Sequence, residues 1–348
     1  MDRTPALADA ASRNPRIVSA RILLLLATMI SHASLAQQLD GLPDRDASFV
    51  AASRAFVFYS DLATNLHDFL LWNARSDRPI EPRADCLARL PDERRAALER
   101  AQELYDRTFR GNRSADRLLL AARYRLAGFT GVRLVPDEDL APLVAAWSAA
   151  ADAYEACWWV DHDARNRRWI GDLLPRLVAN EDALRARLSK LYAATWTRPI
   201  PVDVVGYVGV ASADSVVDPE HIAVSSVDPG NGGDSALEVV FHEASHTLFG
   251  VGRGRLWNAL QRAGTASGVT QPQDFWHALL FFTTGRAVQE RLEEQGVKDY
   301  EPSVYREELF TRAWPKFRAP LEREWQPYVD GRVPMDQAAR RVLDALEK

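Results

Sequence analysis

The chain has 348 residues, a formal net charge of −5 at pH 7, 47% hydrophobic residues and 26% charged ones. That is enough ordinary globular sequence for one large domain or two smaller ones, and it excludes a disordered or fibrous chain. A mildly acidic chain with no basic run is a poor nucleic-acid binder.

Residues 1–36 read as a secretory signal peptide. Arg13, Arg16 and Arg21 supply the positive stretch, residues 22–30 are apolar, and Ser34-Leu35-Ala36 fits the cleavage site. The apolar run is too short to span a bilayer comfortably, and no later run reaches that length. The expectation is an extracytoplasmic protein, periplasmic or secreted from a bacterial cell, with no membrane span in the mature chain. An uncleaved anchor is the alternative.

Residues 37–198 are expected to form a helical N-terminal region. Phe49, Phe56, Tyr59, Leu62, Leu66 and Phe69 recur at helical intervals, which predicts one long helix over 47–74. A linker follows at 75–82. Further helices are expected from Pro91 to about Phe109, at 114–127, at 139–157 and at 160–195, the last broken near Pro175. Cys86 and Cys157 could form one disulfide in an oxidising compartment, or remain two buried thiols. Two polar clusters stand out, His67-Asp68 and the stretch Trp158–Trp169 with Asp161, His162 and Arg165. The second reads either as the wall of a substrate cleft or as a buried polar network between helices, and the network is the favoured reading.

The character changes at Pro199. Val202, Val204, Val208 and Val210 alternate with other residues, which is strand periodicity, and residues 221–227 read as a second strand. A helix should follow the Asn231–Asp234 loop. Ser235 and Glu238 have the spacing of a capping box, and Gly250 suits the left-handed position after the helix end. Within this helix lies His242-Glu243-Ala244-Ser245-His246. Two imidazoles four residues apart on a helix project from one face and can hold one Zn²⁺, while Glu243 can polarise a metal-bound water. The flanking residues are uncharged and no proline interrupts the motif.

On residues 239–248 the chain resembles the zincin metallopeptidases. The resemblance is local, covering about residues 201–290, and it implies that His242 and His246 are zinc ligands and Glu243 the general base. The metzincin pattern fails, because positions 249 and 252 are Phe and Gly. The gluzincin pattern places a Glu on a second helix downstream, whereas the corresponding apolar segment, residues 273–282, carries His277. His277 is thus the expected third ligand, an atypical one, with Asp274 as a candidate acceptor for its second ring N–H. Rival third ligands are Asp274 itself, Glu290, Glu293 and Glu294. Zincins often add an oxyanion donor, for which Tyr207, Tyr300, Tyr305, His162 and His221 are unranked candidates. The resemblance also implies that the 201–226 region offers a strand edge to an extended peptide.

Helices at 273–295, 301–313, 317–328 and 334–347 complete the chain. The expected class is mostly α (α+β), with a small antiparallel β element of two or three strands preceding the motif helix and residues 199–348 as the catalytic region, the two regions forming one compact unit. The expected function is a zinc-dependent hydrolase with one Zn²⁺ per chain, acting on a peptide or protein. A zinc-dependent hydrolase of non-peptide amides or esters, and a non-catalytic zinc-binding envelope protein, are the alternatives.

Overall fold

The computed structural model describes residues 45–129, 131–208 and 212–346. The leader expected at 1–36 lies outside the described residues. The mostly helical class with a β element is what the structure shows.

The sheet is larger than expected and mixed. Strands β1 (Phe49–Ala52), β2 (Phe56–Tyr59), β3 (Ile200–Val205), β4 (Ala213–Val217) and β5 (Glu220–Ser225) stand in the order β1-β2-β3-β5-β4. The two inner pairings, β2 with β3 and β3 with β5, are parallel, and the two outer ones are antiparallel. The β2 and β3 side chains are buried on both faces, as parallel strands require.

The single helix expected over 47–74 is therefore corrected. Residues 49–59 form a hairpin, and helix α1 begins only at Leu62 and runs to Arg75, with Asp61 as its N-cap accepting from the Thr64 amide. The reason is tertiary. The amides of Arg54 and Ala55 at the hairpin turn donate to the Glu181 carboxylate, and Phe56 and Phe58 enter the main core.

Helices α2 (Asp92–Phe109), α3 (Asp116–Leu126) and α4 (Asp137–Tyr154) pack with α1 around Leu66, Phe69, Leu98, Tyr105, Leu143 and Trp147. This lobe lies between β2 and β3 in the sequence. A π-helical turn, Glu155–Trp159, joins α4 directly to α5 (Val160–Tyr192). Pro175 does not break α5. An interior proline costs about 3 kcal/mol, and here the buried stripe Trp169, Ile170, Leu173, Leu177, Leu184 and Leu188 outweighs it. A disulfide joins Cys86 to Cys157, with Cα atoms 5.7 Å apart.

Helices α6 (Asp234–Phe249), α7 (Arg255–Ser267), α8 (Phe275–Glu294) and α9 (Met335–Leu346) belong to the second, larger core. Val202, Val204, Ile222 and Val224 point from the sheet into that core. Asp203 and His221 alternate with them and face the other way, where Arg45 places both guanidinium nitrogens on Asp203 at 3.0 and 2.7 Å. No helix of the described residues is long and apolar enough to cross a membrane.

Candidate metal centre

Helix α6 carries the motif, and its start differs from the expected capping box. Gly233, at φ +59°, turns the chain so that Asp234 is the first helical residue. Glu238 is instead fully buried and ties down a distant loop. It accepts from the Tyr300 hydroxyl and from the Ser303 amide, whose N lies 3.1 and 3.0 Å from the two carboxylate oxygens. The helix ends as expected, at Gly250 with φ +56°, whose N–H donates to the His246 carbonyl.

Helix α8 lies against α6, and a buried hydroxyl ladder fixes the pair. Thr284 donates to Ser245 at 2.9 Å, Ser245 donates to the Phe241 carbonyl at 2.7 Å, and the Tyr192 hydroxyl meets Thr284 at 2.9 Å. Each group is satisfied inside the core, so the ladder resists sliding of one helix along the other.

That packing brings His242, His246 and His277 together. One ring nitrogen from each lies within 4.8 Å of the others, and the group contains no carboxylate. The ring centroids form a near-equilateral triangle of 5.1, 5.1 and 5.6 Å. Ligands about 2.0–2.1 Å from a four-coordinate metal lie roughly 3.3 Å apart, a spacing that small side-chain rotations reach. The cluster can hold a metal ion. Two observations show that its residues fit one. Neither ring nitrogen of the buried His242 has a hydrogen-bond partner among the described residues, which is costly unless something else binds there. Burial also keeps all three rings neutral, the form that ligates. It pushes His242 well below the ordinary histidine value, His246 to about 3 and His277 to about 4, and the neighbouring rings add to this at His242 and His246.

Aromatic side chains wall the cluster. Phe281 lies 3.7 Å from His242 between ring centroids, Trp276 stacks on His277 at 5.0 Å and 23°, and Trp314 meets His277 edge-on at 5.5 Å. His246 and His277 are only half-buried, so the cluster is open on their side.

Glu243 sits beside the cluster, its carboxylate 3.9 Å from His246 Nε2. Burial pushes its carboxyl up to about 8, helped by the charge of Asp214 and opposed by a hydrogen bond from Ser215 and by Arg123. Ser215 and Asp214 belong to β4, the last strand of the sheet, and Arg123 comes from α3 and pairs with Asp214. Arg123 is thus a contribution of the helical lobe to this site. The sequence held no local sign of it, since Arg123 meets Asp214 across ninety-one positions.

The remaining expectations sort as follows. Asp274 occupies the left-handed N-cap of α8 at φ +57°; its charge acts on the His277 ring, opposing the effect of burial. Glu290 is paired with Arg187 at 2.8 Å and Glu294 with Arg291 at 2.9 Å. Glu290, Glu293 and Glu294 are thirteen or more residues beyond His277 on one helix, about 20 Å or more along its axis. Tyr300 is held by Glu238, Tyr305 donates to Glu322, His162 bonds Tyr154 and His221 bonds Asp203, so each of these four is engaged by another residue. Tyr207 packs on Trp72 and His162 instead. One face of the 158–169 stretch, with Trp158, His162, Asn166 and Trp169, joins a buried network, while Asp161 and Arg165 are exposed. Asn166 bonds Ser60, Asn65 and Ser226, and Asn65 accepts from the Gly206 amide. His67 lies in the lobe's core against Tyr105 and Trp147.

Comparison with known protein families, with curated proteins and with solved structures finds no match to this chain.

Proposed function

We propose that His242, His246 and His277 hold one Zn²⁺ and that the protein is a zinc-dependent hydrolase cleaving peptide bonds. The observation that carries this reading is the group of three neutral imidazoles, open on one side, with a buried carboxylate adjoining it. A zinc bound by three protein ligands lowers the pKa of its water toward 7 and polarises a carbonyl oxygen. Beside a bound cation the ionised form of Glu243 is favoured, and that form takes the proton from the attacking water and returns it to the leaving amine. Ser215 lies beside that carboxylate and favours its ionised form, and the aromatic side chains flank the histidines. The lone acid makes less sense in a purely structural site, which needs four ligands and no base.

The strand β4 supports a peptide substrate. It ends the sheet, and its residues Asp214 and Ser215 adjoin Glu243. An extended peptide adding to such an edge passes the base in register. The disulfide favours an extracytoplasmic compartment.

The test is metal content of the chain purified without chelators, with zinc add-back, beside His277→Ala and Glu243→Gln. About one zinc in the wild type and a large loss in His277→Ala is expected. Glu243→Gln should keep its zinc and lose about 10²–10⁴-fold of peptide hydrolysis. Undiminished hydrolysis in that variant would refute the base assignment. A wild type without zinc would refute the centre itself, and turnover of esters alone would move the substrate class.

A further inference from the structure

A cavity of about 530 Å³ lies not at the histidine cluster but behind Trp276. Its size falls within the roughly 300–1,000 Å³ of small-molecule sites. Helix α7 forms one wall with Trp257, Gln261 and Thr265, and the loop that follows α7 forms the other with Gln271 and Gln273, ending at Trp276.

The second wall is held in place. The Val269 amide donates to the Gly264 carbonyl at 2.9 Å, and a Cβ on Gly264 would come within 2.7 Å of the Val269 carbonyl oxygen. Gln261 donates to Gln271 across the cavity at 3.1 Å. The two indoles are braced from behind by Phe249, at 6.1 Å from Trp257 and 5.8 Å from Trp276.

The chemistry of the lining is selective. No lysine or arginine contributes and the one charged side chain is the carboxylate of Asp274, so the lining disfavours a phosphate, a sulfate or any other anion. Three amide side chains and two threonines, Thr265 and Thr270, each both donate and accept hydrogen bonds. Two half-buried indoles line it, Trp257 and Trp276; Trp276 is stacked on His277, which leaves Trp257 as the indole freer to meet the polarised C–H groups of a ligand. A ligand that suits all three conditions carries no negative charge, has an apolar face and is ringed by hydroxyls that both donate and accept, the donors reaching the Asp274 carboxylate as well as the amides. A pyranose has that form.

We propose that this cavity binds a neutral saccharide, with the sugar ring against Trp257 or Trp276 and its hydroxyls on Gln261, Gln271 and Gln273. The site is independent of the hydrolase reading, since none of its lining residues is a metal ligand or the base. Trp276 nevertheless touches both, because its indole stacks on His277.

The test is titration of the full chain with cellotriose, chitotriose and maltotriose, followed by tryptophan fluorescence and by calorimetry. At least one trisaccharide should shift the emission saturably with a Kd in the range of about 1 mM or tighter. Trp257→Ala and, separately, the surface variant Gln261→Ala should each weaken that binding tenfold or more while the circular dichroism and the metal content stay at the wild-type level. The Gln261→Ala variant keeps the test decisive if Trp257→Ala fails to fold. Absence of binding by all three sugars at roughly 10 mM overturns the proposal. So does binding that neither variant weakens, or saturation of the cavity by N-acetylphenylalaninamide with no sugar binding, which would make it a subsite for a peptide side chain.

Discussion

Reducing the Cys86–Cys157 disulfide should destabilise the helical lobe far more than the metal helices. The bond closes a loop with a sequence separation of seventy-one residues. Inside that loop lie α2, α3 and α4, three of the four helices around the lobe's core. The chain-entropy relation for a loop of that length gives ~4.4 kcal/mol at 25 °C, and residual structure in the reduced unfolded chain lowers the figure toward ~2 kcal/mol. The unfolding equilibrium of the lobe should thus shift by about 30-fold to 2,000-fold. Urea unfolding with and without a phosphine reductant measures this, and amide hydrogen exchange localises it. Peptides from residues 92–154 should lose protection on reduction, and peptides from 234–249 and 275–294 should lose little. Two results would refute the reasoning. One is coincident unfolding curves for the oxidised and reduced protein. The other is alkylation of both cysteines in the unreduced protein.

Other predictions follow from the packing of the sheet and of the metal helices. Asp203 is buried, which by itself raises its carboxyl, but Arg45 and the hydrogen bond from His221 hold it down to about 2 against an ordinary 3.8. Its folded-state value is depressed, so its stabilisation is complete above about 3.8 and is lost as the pH falls through about 2. That gap corresponds to ~2 kcal/mol. Asp203→Asn, which leaves Arg45 buried beside a neutral partner, should cost about 3–5 kcal/mol near pH 7. Denaturant titrations from pH 6 to pH 2 should show the wild-type advantage shrinking with acid, and parallel curves would refute the assignment. Gly285→Ala should destabilise by about 1–3 kcal/mol, because the new methyl would lie 2.7 Å from Pro302 Cβ and 3.1 Å from the Glu238 carboxylate. A thermal midpoint equal to the wild type would show that the loop at 300–303 yields freely.

The metal cluster was largely legible in the sequence because its signals are local. His242 and His246 share a helical face by spacing alone, and His277 is the only later histidine, set in an apolar run. What failed was whatever depends on a distant partner. Residues 49–59 have an aromatic spacing that satisfies a helix, yet Phe56-Val57-Phe58-Tyr59 is a β-rich run, and its pairing with β3 decides. Strand β4 escaped because Ala213-Asp214-Ser215 is polar and half-buried at an edge, with no alternation to read. Helix α7 went unread between two glycine-rich turns, although its apolar face is strong. Glu238 matched a capping box by spacing, but its partners Tyr300 and Ser303 lie more than sixty residues away. The same blindness hid Arg123 and spread the oxyanion candidates over residues that the fold engages elsewhere.

The parallel pairing of Phe56 with Ile200 bears on the order in which the molecule can be assembled. During synthesis β2 emerges early but cannot find its neighbour until the whole helical lobe has been made, so this contact closes late and contributes to slow folding. Until then an apolar Phe-Val-Phe-Tyr segment, paired with β1 on one edge, waits with the other edge open, a hazard for association between nascent chains. The histidines of the cluster come later still, so the cluster cannot form until the chain has been made through His277. A deletion that trims the lobe while joining β2 more directly to β3 should therefore speed folding even where it removes stabilising core.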